Sequence, residues 1–554
     1  MASISDLLRQ GRNEELWQMC CGYIDLSMKQ FTVIQRRLLQ DQLELLRNCE
    51  LGRKVMRGAM PTSLEQFRRE VPLTTYSDYC PELLEQREDV LPAKPAHWVH
   101  TSGKSGEYPY KWVPYSEKFA HELAILMYGA GIFASCNGRG DVSKAKEHAK
   151  IVYAVAPPPY CSGIFVQVMQ QEVGAVYLPP LDKAQNMSFE QRTKEGFRLA
   201  LSRGFDYFFG LSTVLIVVGE QFGKRSRGLT VMPLLSQPAA LFRLFKGLAR
   251  SRMEHRSMLP KDLWSVKGIM SGGADSTVLR ERLHDLWGRY PLETYACTEG
   301  SFIASQAWDY GGLTFIPNLN FLEFIPEDEH LKWRLDNSYM PKTVLIDEVE
   351  VDKSYEIVIT NFHGGAMVRY RVGDMIRITA LGNNKLGIAI PQMIFERRAD
   401  DLIDIAGFTR LTERVIWQAI ESSRIPYEDW TVRKEIIGEK PVLHVYLEAK
   451  DGSAPNDKRI ASELHTQLKK LDKDYADLES ILGVKPIQVS LLQSGAFKAY
   501  MAERRAEGAD LAHIKPPHIN PSDKTLSLLG VKISSRPSEG SESPVCHTTN
   551  VSPT

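Results

Sequence analysis

An α/β fold with a large N-terminal domain and a smaller C-terminal one is predicted by three observations. From His97 onward, short apolar runs alternate with stretches of helical spacing. Between Asp400 and Gly407 that pattern changes character. The length, 554 residues, exceeds what a single hydrophobic core organises.

In chain order, residues 13–49 place Leu38, Leu39, Leu43, Leu45 and Leu46 at helical spacing, which predicts a helical region packed on the main body. Residues 151–155, 175–178 and 266–270 read as short buried strands, and 190–202 and 276–288 as helices. Strands follow at 355–361 and 375–379. Beyond 400 come a helix at 413–422, strands at 431–437 and 442–447, a helix at 458–471, a strand at 486–491 and a last helix. This order divides the chain into an N-terminal domain, 1–399, a small α+β domain, 400–520, and a tail, 521–554. The tail loses periodicity and becomes rich in Ser, Pro, Glu and Thr, so it is expected to be disordered.

Composition narrows the function class. Lys plus Arg and Asp plus Glu are equal at 68 each, so no net basic field points to nucleic acid and no acidic excess to disorder. The opening residues lack a basic segment followed by an apolar run, and the longest apolar stretch, 211–218, is far shorter than a membrane span. A cytoplasmic protein without membrane attachment is expected. The eight cysteines form neither a disulfide framework nor a zinc pattern and read as reduced core residues.

The segment from His100 through Thr101, Ser102, Gly103, Lys104, Ser105 and Gly106 to Lys111 packs glycines, hydroxyls and positive charge into one turn, which suits a phosphate. It is not a Walker A loop, because Trp98 stands where the first glycine belongs. Further on come Tyr295-Ala296-Cys297-Thr298-Glu299-Gly300, Tyr370-Arg371-Val372-Gly373-Asp374 and Arg397-Arg398-Ala399-Asp400-Asp401. At a strand end, Thr298 offers a hydroxyl to phosphate and Glu299 a carboxylate to Mg²⁺, a hard cation that takes oxygen ligands. Asp374 can accept from a ribose diol, and Arg398 can donate to ribose or phosphate oxygens. Each has a plainer reading: a turn residue for Asp374, a solvated charge for Arg398, a surface carboxylate for Glu299.

Taken together these motifs resemble the adenylate-forming superfamily of acyl-CoA synthetases, peptide-synthetase adenylation domains and luciferases. Gly495-Ala496-Phe497, Glu507-Gly508-Ala509-Asp510, His513-Ile514-Lys515-Pro516-Pro517-His518 and the early Val71-Pro72-Leu73-Thr74-Thr75-Tyr76 resemble, more narrowly, the acyl acid amido synthetases of the plant auxin-responsive Gretchen Hagen family. Three positions depart from that family: Lys104 for its usual Thr, Thr298 for its usual Ser, and His518 for its final Arg.

The resemblance implies a large adenylate-forming domain with a mobile lid, hinged at Asp400 or Asp401. It implies ATP and Mg²⁺ as cofactors, with a carboxylic acid activated to an acyl-adenylate and passed to an amine, such as an amino acid. Lys515, Glu299 and Thr298 become the catalytic candidates, with Glu299 on the metal. The implied nucleotide set is Thr101, Ser102, Gly103, Lys104, Ser105, Gly106, Gly272, Gly273, Ala274, Tyr295, Thr298, Asp374 and Arg398. Plainer readings stay open here too. Lys515 and Lys104 could be solvated, and the 271–275 loop could be a strand-to-helix turn capped by Asp275 or Ser276. Tyr115, Phe119, Leu123 and Met127 read as a core stripe before an acyl pocket. Asn361-Phe362-His363-Gly364-Gly365 resembles phenylacetate-type acyl-CoA ligases as well, which leaves that activity as the alternative, and a non-catalytic nucleotide binder as a third.

Overall fold

The computed structural model describes residues 2–101, 110–225, 238–272, 276–336, 338–399, 403–405, 409–437, 440–450, 456–482, 485–506 and 518–531. A hairpin of β1 (Pro95–His100) and β2 (Trp112–Ser116) precedes the main sheet. That sheet is built from β3 (Lys150–Ala154), β4 (Val176–Leu178), β5 (Tyr207–Leu211), β6 (Gly268–Gly272), β7 (Pro291–Cys297), β8 (Ser301–Ser305), β9 (Leu313–Phe315), β10 (Asn320–Pro326), β11 (Ser354–Asn361), β12 (Tyr370–Ala380) and β13 (Gln392–Arg398). Its 11 strands run in the order β10-β11-β12-β13-β9-β8-β7-β6-β5-β3-β4. The half from β4 to β7 is parallel and crossed by helices, and from β7 to β10 it is antiparallel. The seam between the two halves is β7, whose carboxyl end carries Thr298 and Glu299.

The expected N-terminal helical region is present, with helices Ile4–Gln10, Asn13–Cys21 and Met28–Arg47. Ser27 and Gln30 close the start of the third as a capping box. Its inner face buries Phe31, Leu38, Leu39, Leu43 and Leu46, but also two glutamines. Gln35 Nε2 donates to Pro317 O (2.6 Å) and Asn320 O (2.7 Å). Gln42 donates to Gly365 O and accepts from Gly364 N, both at 2.8 Å. Buried amides that are fully paired specify position as well as stability. The helix therefore braces the two segments that lie behind the β7 turn.

After β14 (Ile403–Ile405) and β15 (Thr409–Leu411), β16 (Tyr427–Ile437), β17 (Lys440–Ala449) and β18 (Ile487–Leu491) form a separate three-stranded sheet. Helices Glu413–Ser422, Asp457–Leu471 and Lys473–Leu482 accompany it, and Ile420, Trp430, Leu443, Leu464 and Tyr475 belong to a core of their own. The expected disorder from 521 is corrected: Asp523–Leu528 is a helix capped by Ser522. It buries Leu526 and Leu529 with Phe497, Tyr500 and Tyr446, and Arg433 holds Asp523 at 2.5 Å. At six residues it is too short to show periodicity, and its stability comes from docking. Among the described residues no helix is long and apolar enough to cross a membrane. The described cysteines are free thiols, with Cys20, Cys21 and Cys49 buried.

Candidate functional site

The turn from β7 into β8 is held by its carbonyls. Tyr115 on β2 donates its hydroxyl to Thr298 O at 2.7 Å. Asn361 at the end of β11 donates to Glu299 O at 3.0 Å, and Asn320 on β10 donates to Gly300 O at 2.7 Å. Three strands thus each grip one carbonyl of consecutive residues, and Asn361 is itself set by Asn320 Oδ1 (2.8 Å) and Met367 N (3.0 Å). A Cβ on Gly365 would lie 2.4 Å from the Asn361 Cβ, so only glycine leaves room for that asparagine.

Glu299 is 7% exposed. Its Oε1 accepts from the Tyr370 hydroxyl at 3.0 Å and lies 3.4 Å from Lys111 Nζ, which also reaches Tyr370 at 3.2 Å. Burial pushes this carboxyl up. The Lys111 charge, its own backbone amide and the Tyr370 hydroxyl outweigh that, and the group sits below the ordinary carboxylate range. Lys111 is placed from two sides. Across the hairpin its N–H donates to Thr101 Oγ1 at 3.2 Å, and Tyr76 clamps Trp112 by accepting from its N–H (2.6 Å) and donating to its carbonyl (3.0 Å). The early 71–76 segment is anchored in turn, because Thr74 exchanges backbone hydrogen bonds with Arg369 O and Arg371 N, both at 2.9 Å, on either side of Tyr370.

Asp374 is not a turn residue. It stands within β12, directly opposite Arg398 on β13, and the two side chains form an ion pair. Gly373, at φ +75°, supplies the left-handed backbone beside it, and its carbonyl accepts from Ala399 N at 2.8 Å. Tyr295 donates its hydroxyl to Asp374 Oδ2 at 2.6 Å. Burial and the Asp374 charge push the Tyr295 phenol far up, so it stays a donor. The Arg398 side chain is only 13% exposed and paired with the buried Asp374, which removes its solvated reading, as Glu299's burial removes the surface one.

The structure thus brings Tyr295, Thr298, Glu299, Asp374 and Arg398 together beside Thr101 at the base of the hairpin loop. Ser102, Gly103, Lys104, Ser105, Gly106, Gly273, Ala274, Asp275, Asp400, Asp401 and Lys515 lie outside the described residues. Gly272 ends β6, where Ser271 shares a 2.6 Å hydrogen bond with Ser212. Past Lys515, His518 is pinned to β16. Its carbonyl accepts from Val432 N at 2.7 Å, its ring sits 2.6 Å from Glu413 and 2.9 Å from Asp429, and it stacks 4.3 Å from Trp430. Tyr115 belongs to β2, while Phe119, Leu123 and Met127 on helix Glu117–Phe133 are buried core, as the plainer reading had it.

The sequence offers Lys111 only as nearby charge and Tyr115 only as a core stripe or acyl-pocket residue, and it assigns Tyr370, Asn361 and Asn320 no role at the site. Lys111 and Tyr370 were inside the quoted motifs. Asn320 left no signal, since its partner lies across the sheet.

Three family profiles match in chain order: the GH3 family N-terminal domain over residues 21–202, the central domain over 313–398 and the C-terminal domain over 411–524. A jasmonoyl–L-amino acid synthetase, GH3.5 of Oryza sativa subsp. japonica, is 26% identical over 289 residues, 48% of this chain and 47% of that protein. An indole-3-acetic acid-amido synthetase, GH3.3 of Arabidopsis thaliana, is 26% identical over 233 residues, 40% of this chain and 36% of that one. The match thus spans about half the length, or less, of these curated relatives. Among solved structures, 2-hydroxyisobutyryl-CoA ligase with its acyl-adenylate and CoA superposes with a TM-score of 0.53 at 16% identity, covering 87% of this chain and 88% of that one; the two share a fold.

Proposed function

The chain belongs to the GH3 family, and we propose that it activates a carboxylic acid with ATP and transfers the acyl group to an amine, such as an amino acid, to form an amide. The observation that carries this reading is the pair of buried acidic centres at the β7 seam, Glu299 with Lys111 and Tyr370, and Asp374 with Arg398 and Tyr295. In this reading residues 1–399 bind ATP and the acid, and 400–520 act as the lid. The fold suits the cytoplasm, where ATP is available and free thiols stay reduced.

A carboxylate oxygen of the acid attacks the α-phosphorus of ATP, and the bond to pyrophosphate breaks. The amine nitrogen then attacks the acyl carbon, AMP leaves, and the ammonium proton passes to solvent. Neither step needs a side-chain nucleophile; both need anions held against one another by oriented charge. Glu299 suits Mg²⁺: its carboxylate is held ionised, and the two side-chain donors that reach it, Lys111 and Tyr370, both fall on Oε1, so Oε2 is the oxygen to offer a hard cation completed by substrate phosphates. Mg²⁺ there would neutralise phosphate charge as it builds up. Lys111 and the 102–106 loop serve as phosphate donors, Asp374 accepts the ribose hydroxyls, Arg398 secures Asp374, and Lys515 comes from the lid to the α-phosphate or carboxylate oxygen.

The test is carboxylate-dependent exchange of label between pyrophosphate and ATP over a panel of acids, followed by mass spectrometry of products formed with pooled amino acids or with CoA. Amide products support the reading. Thioester formation with CoA and no amide product would make this an acyl-CoA ligase, and the absence of exchange with any acid would leave a nucleotide binder.

A further inference from the structure

Behind the β7 turn lies a cavity of about 550 Å³, a size that suits small molecules. One wall is the helix Met28–Arg47, on which Leu38, Asp41, Gln42 and Leu45 recur at the spacing of a single helix face. Ser116, Glu117, Lys118 and His121 at the start of helix Glu117–Phe133 form another, with Ala93 and Lys94 from the segment before β1. Glu172 and His363 complete the lining. Glu172 Oε2 lies 3.3 Å from His121 Nδ1, so those two answer one another. His363 Nε2 donates to Asn318 O at 2.7 Å, and burial pulls the ring's pKa below the ordinary 6.5, so the neutral ring keeps Nδ1 as an acceptor. Side chains alternate along a strand. On β2, Tyr115 therefore reaches the Thr298 carbonyl, while Ser116 turns to the cavity and donates to His363 O at 2.6 Å. Among the described residues, none assigned above to ATP or Mg²⁺ lines this cavity.

Both signs of charge line the cavity. A simple anion would come up against Asp41 and Glu117, and a simple cation against Lys94 and Lys118. A ligand that carries both charges satisfies all four. We propose that the cavity binds a free amino acid, as an effector apart from the substrates handled at Glu299. Lys94 and Lys118 take its carboxylate, Asp41, Glu117 and His363 Nδ1 take its ammonium, and its side chain lies against Leu38, Leu45 and Ala93. Such an occupant is coupled to the turn. Gln42 holds Gly364 N and Gly365 O, and the same loop sets Asn361, whose amide holds the Glu299 carbonyl. A ligand that shifts Gln42 or His363 therefore shifts the support of Glu299. The binding assignment does not depend on the amide-forming activity; the coupling rests on the activation step proposed above.

Calorimetry of the full chain, without ATP or acid, over a panel of L-amino acids should show saturable binding by at least one of them. Its N-acetyl and carboxamide derivatives each lack one charge and should bind about tenfold or more weakly, the scale of a lost hydrogen bond to a charged group. Asp41→Asn and Lys118→Met change exposed side chains and should each weaken binding to a similar extent. Because the amine site proposed beside Glu299 also admits an amino acid, only binding lost in these variants counts. In pyrophosphate–ATP exchange, which consumes no amine, the bound amino acid should change the wild-type rate about fivefold or more, the scale of coupling between two sites. Asp41→Asn should abolish that change. No bound amino acid, equal binding by either derivative, or binding unmoved in both variants overturns the proposal; binding that leaves exchange untouched overturns the coupling to Glu299. Absence of exchange with every acid counts against the amide reading alone, since the binding measurement needs no turnover.

Discussion

Lys111 Nζ lies 3.4 Å from Glu299 Oε1, closing a buried charge pair between a hairpin strand and the turn after the seam strand. Lys111 is the charge that does most to hold Glu299 ionised against burial. The carboxyl sits below its ordinary 4.5, so the contribution that ionisation makes is present above that value and lost as pH falls through the lowered one. Lys111→Met removes the charge, so the acid limb of pyrophosphate exchange should move to higher pH, with a larger loss of activity at acid than at alkaline pH. A pH–rate profile with an unmoved acid limb would show that Lys111 does not govern Glu299. Glu299→Gln should lower exchange about a hundredfold or more at every pH, the scale of losing one oriented charge at a reacting centre.

Asp374 accepts from Tyr295 and pairs with Arg398, so removing it costs the site an acceptor and breaks that ion pair. Asp374→Ala should weaken ATP binding by about 1–3 kcal/mol, read by calorimetry. Unchanged affinity would limit Asp374 to holding β12 against β13.

Lys104 stands where the family usually has a small hydroxyl residue. As a point charge it should strengthen ATP binding and hold departing pyrophosphate equally well. Lys104→Thr should therefore raise the KM for ATP and relieve inhibition by pyrophosphate. Steady-state kinetics with and without added pyrophosphate checks this; if neither constant moves, the loop's backbone N–H groups do the binding.

His518 follows the segment that carries Lys515. Burial pulls its pKa down, but Asp429 and Glu413 outweigh that and raise it above the ordinary 6.5. A raised folded value means that stabilisation is fully present below pH 6.5 and is lost as pH rises through the folded value. His518→Gln should cost about 1–2 kcal/mol at acid pH, where both charge-assisted bonds exist, and little at alkaline pH. Thermal unfolding across a pH series reads the difference; a gap that does not close as pH rises would assign His518 to packing on Trp430 alone.

Legibility in the sequence followed the range of each interaction. The strands at 151–155 and 355–361 were readable as short apolar runs, and the helix at 413–422 from apolar residues at helical spacing, signals that are local to each element. The helix Asp523–Leu528 was not, because what stabilises it is Phe497, Tyr500 and Tyr446 brought from elsewhere in the chain. Strand β12 was recognised from its second half only. Its first half, Tyr370 to Asp374, contains a glycine and two charged residues, and it is ordered by Thr74 on one side and Arg398 on the other.

The candidate site divides in the same way. The sequence by itself determined which chemical groups are present, since Thr298-Glu299, Tyr370 to Asp374 and Arg398 stand in short local motifs whose composition already states what they can bind. Only the tertiary structure decided that Lys111 faces Glu299, that Asp374 faces Arg398, and that Tyr115, Asn320 and Asn361 each hold one carbonyl of the turn. Those partners lie tens to hundreds of residues apart. Their pairing is set by strand order and register, which depend on how the whole sheet buries its two faces rather than on any local pattern.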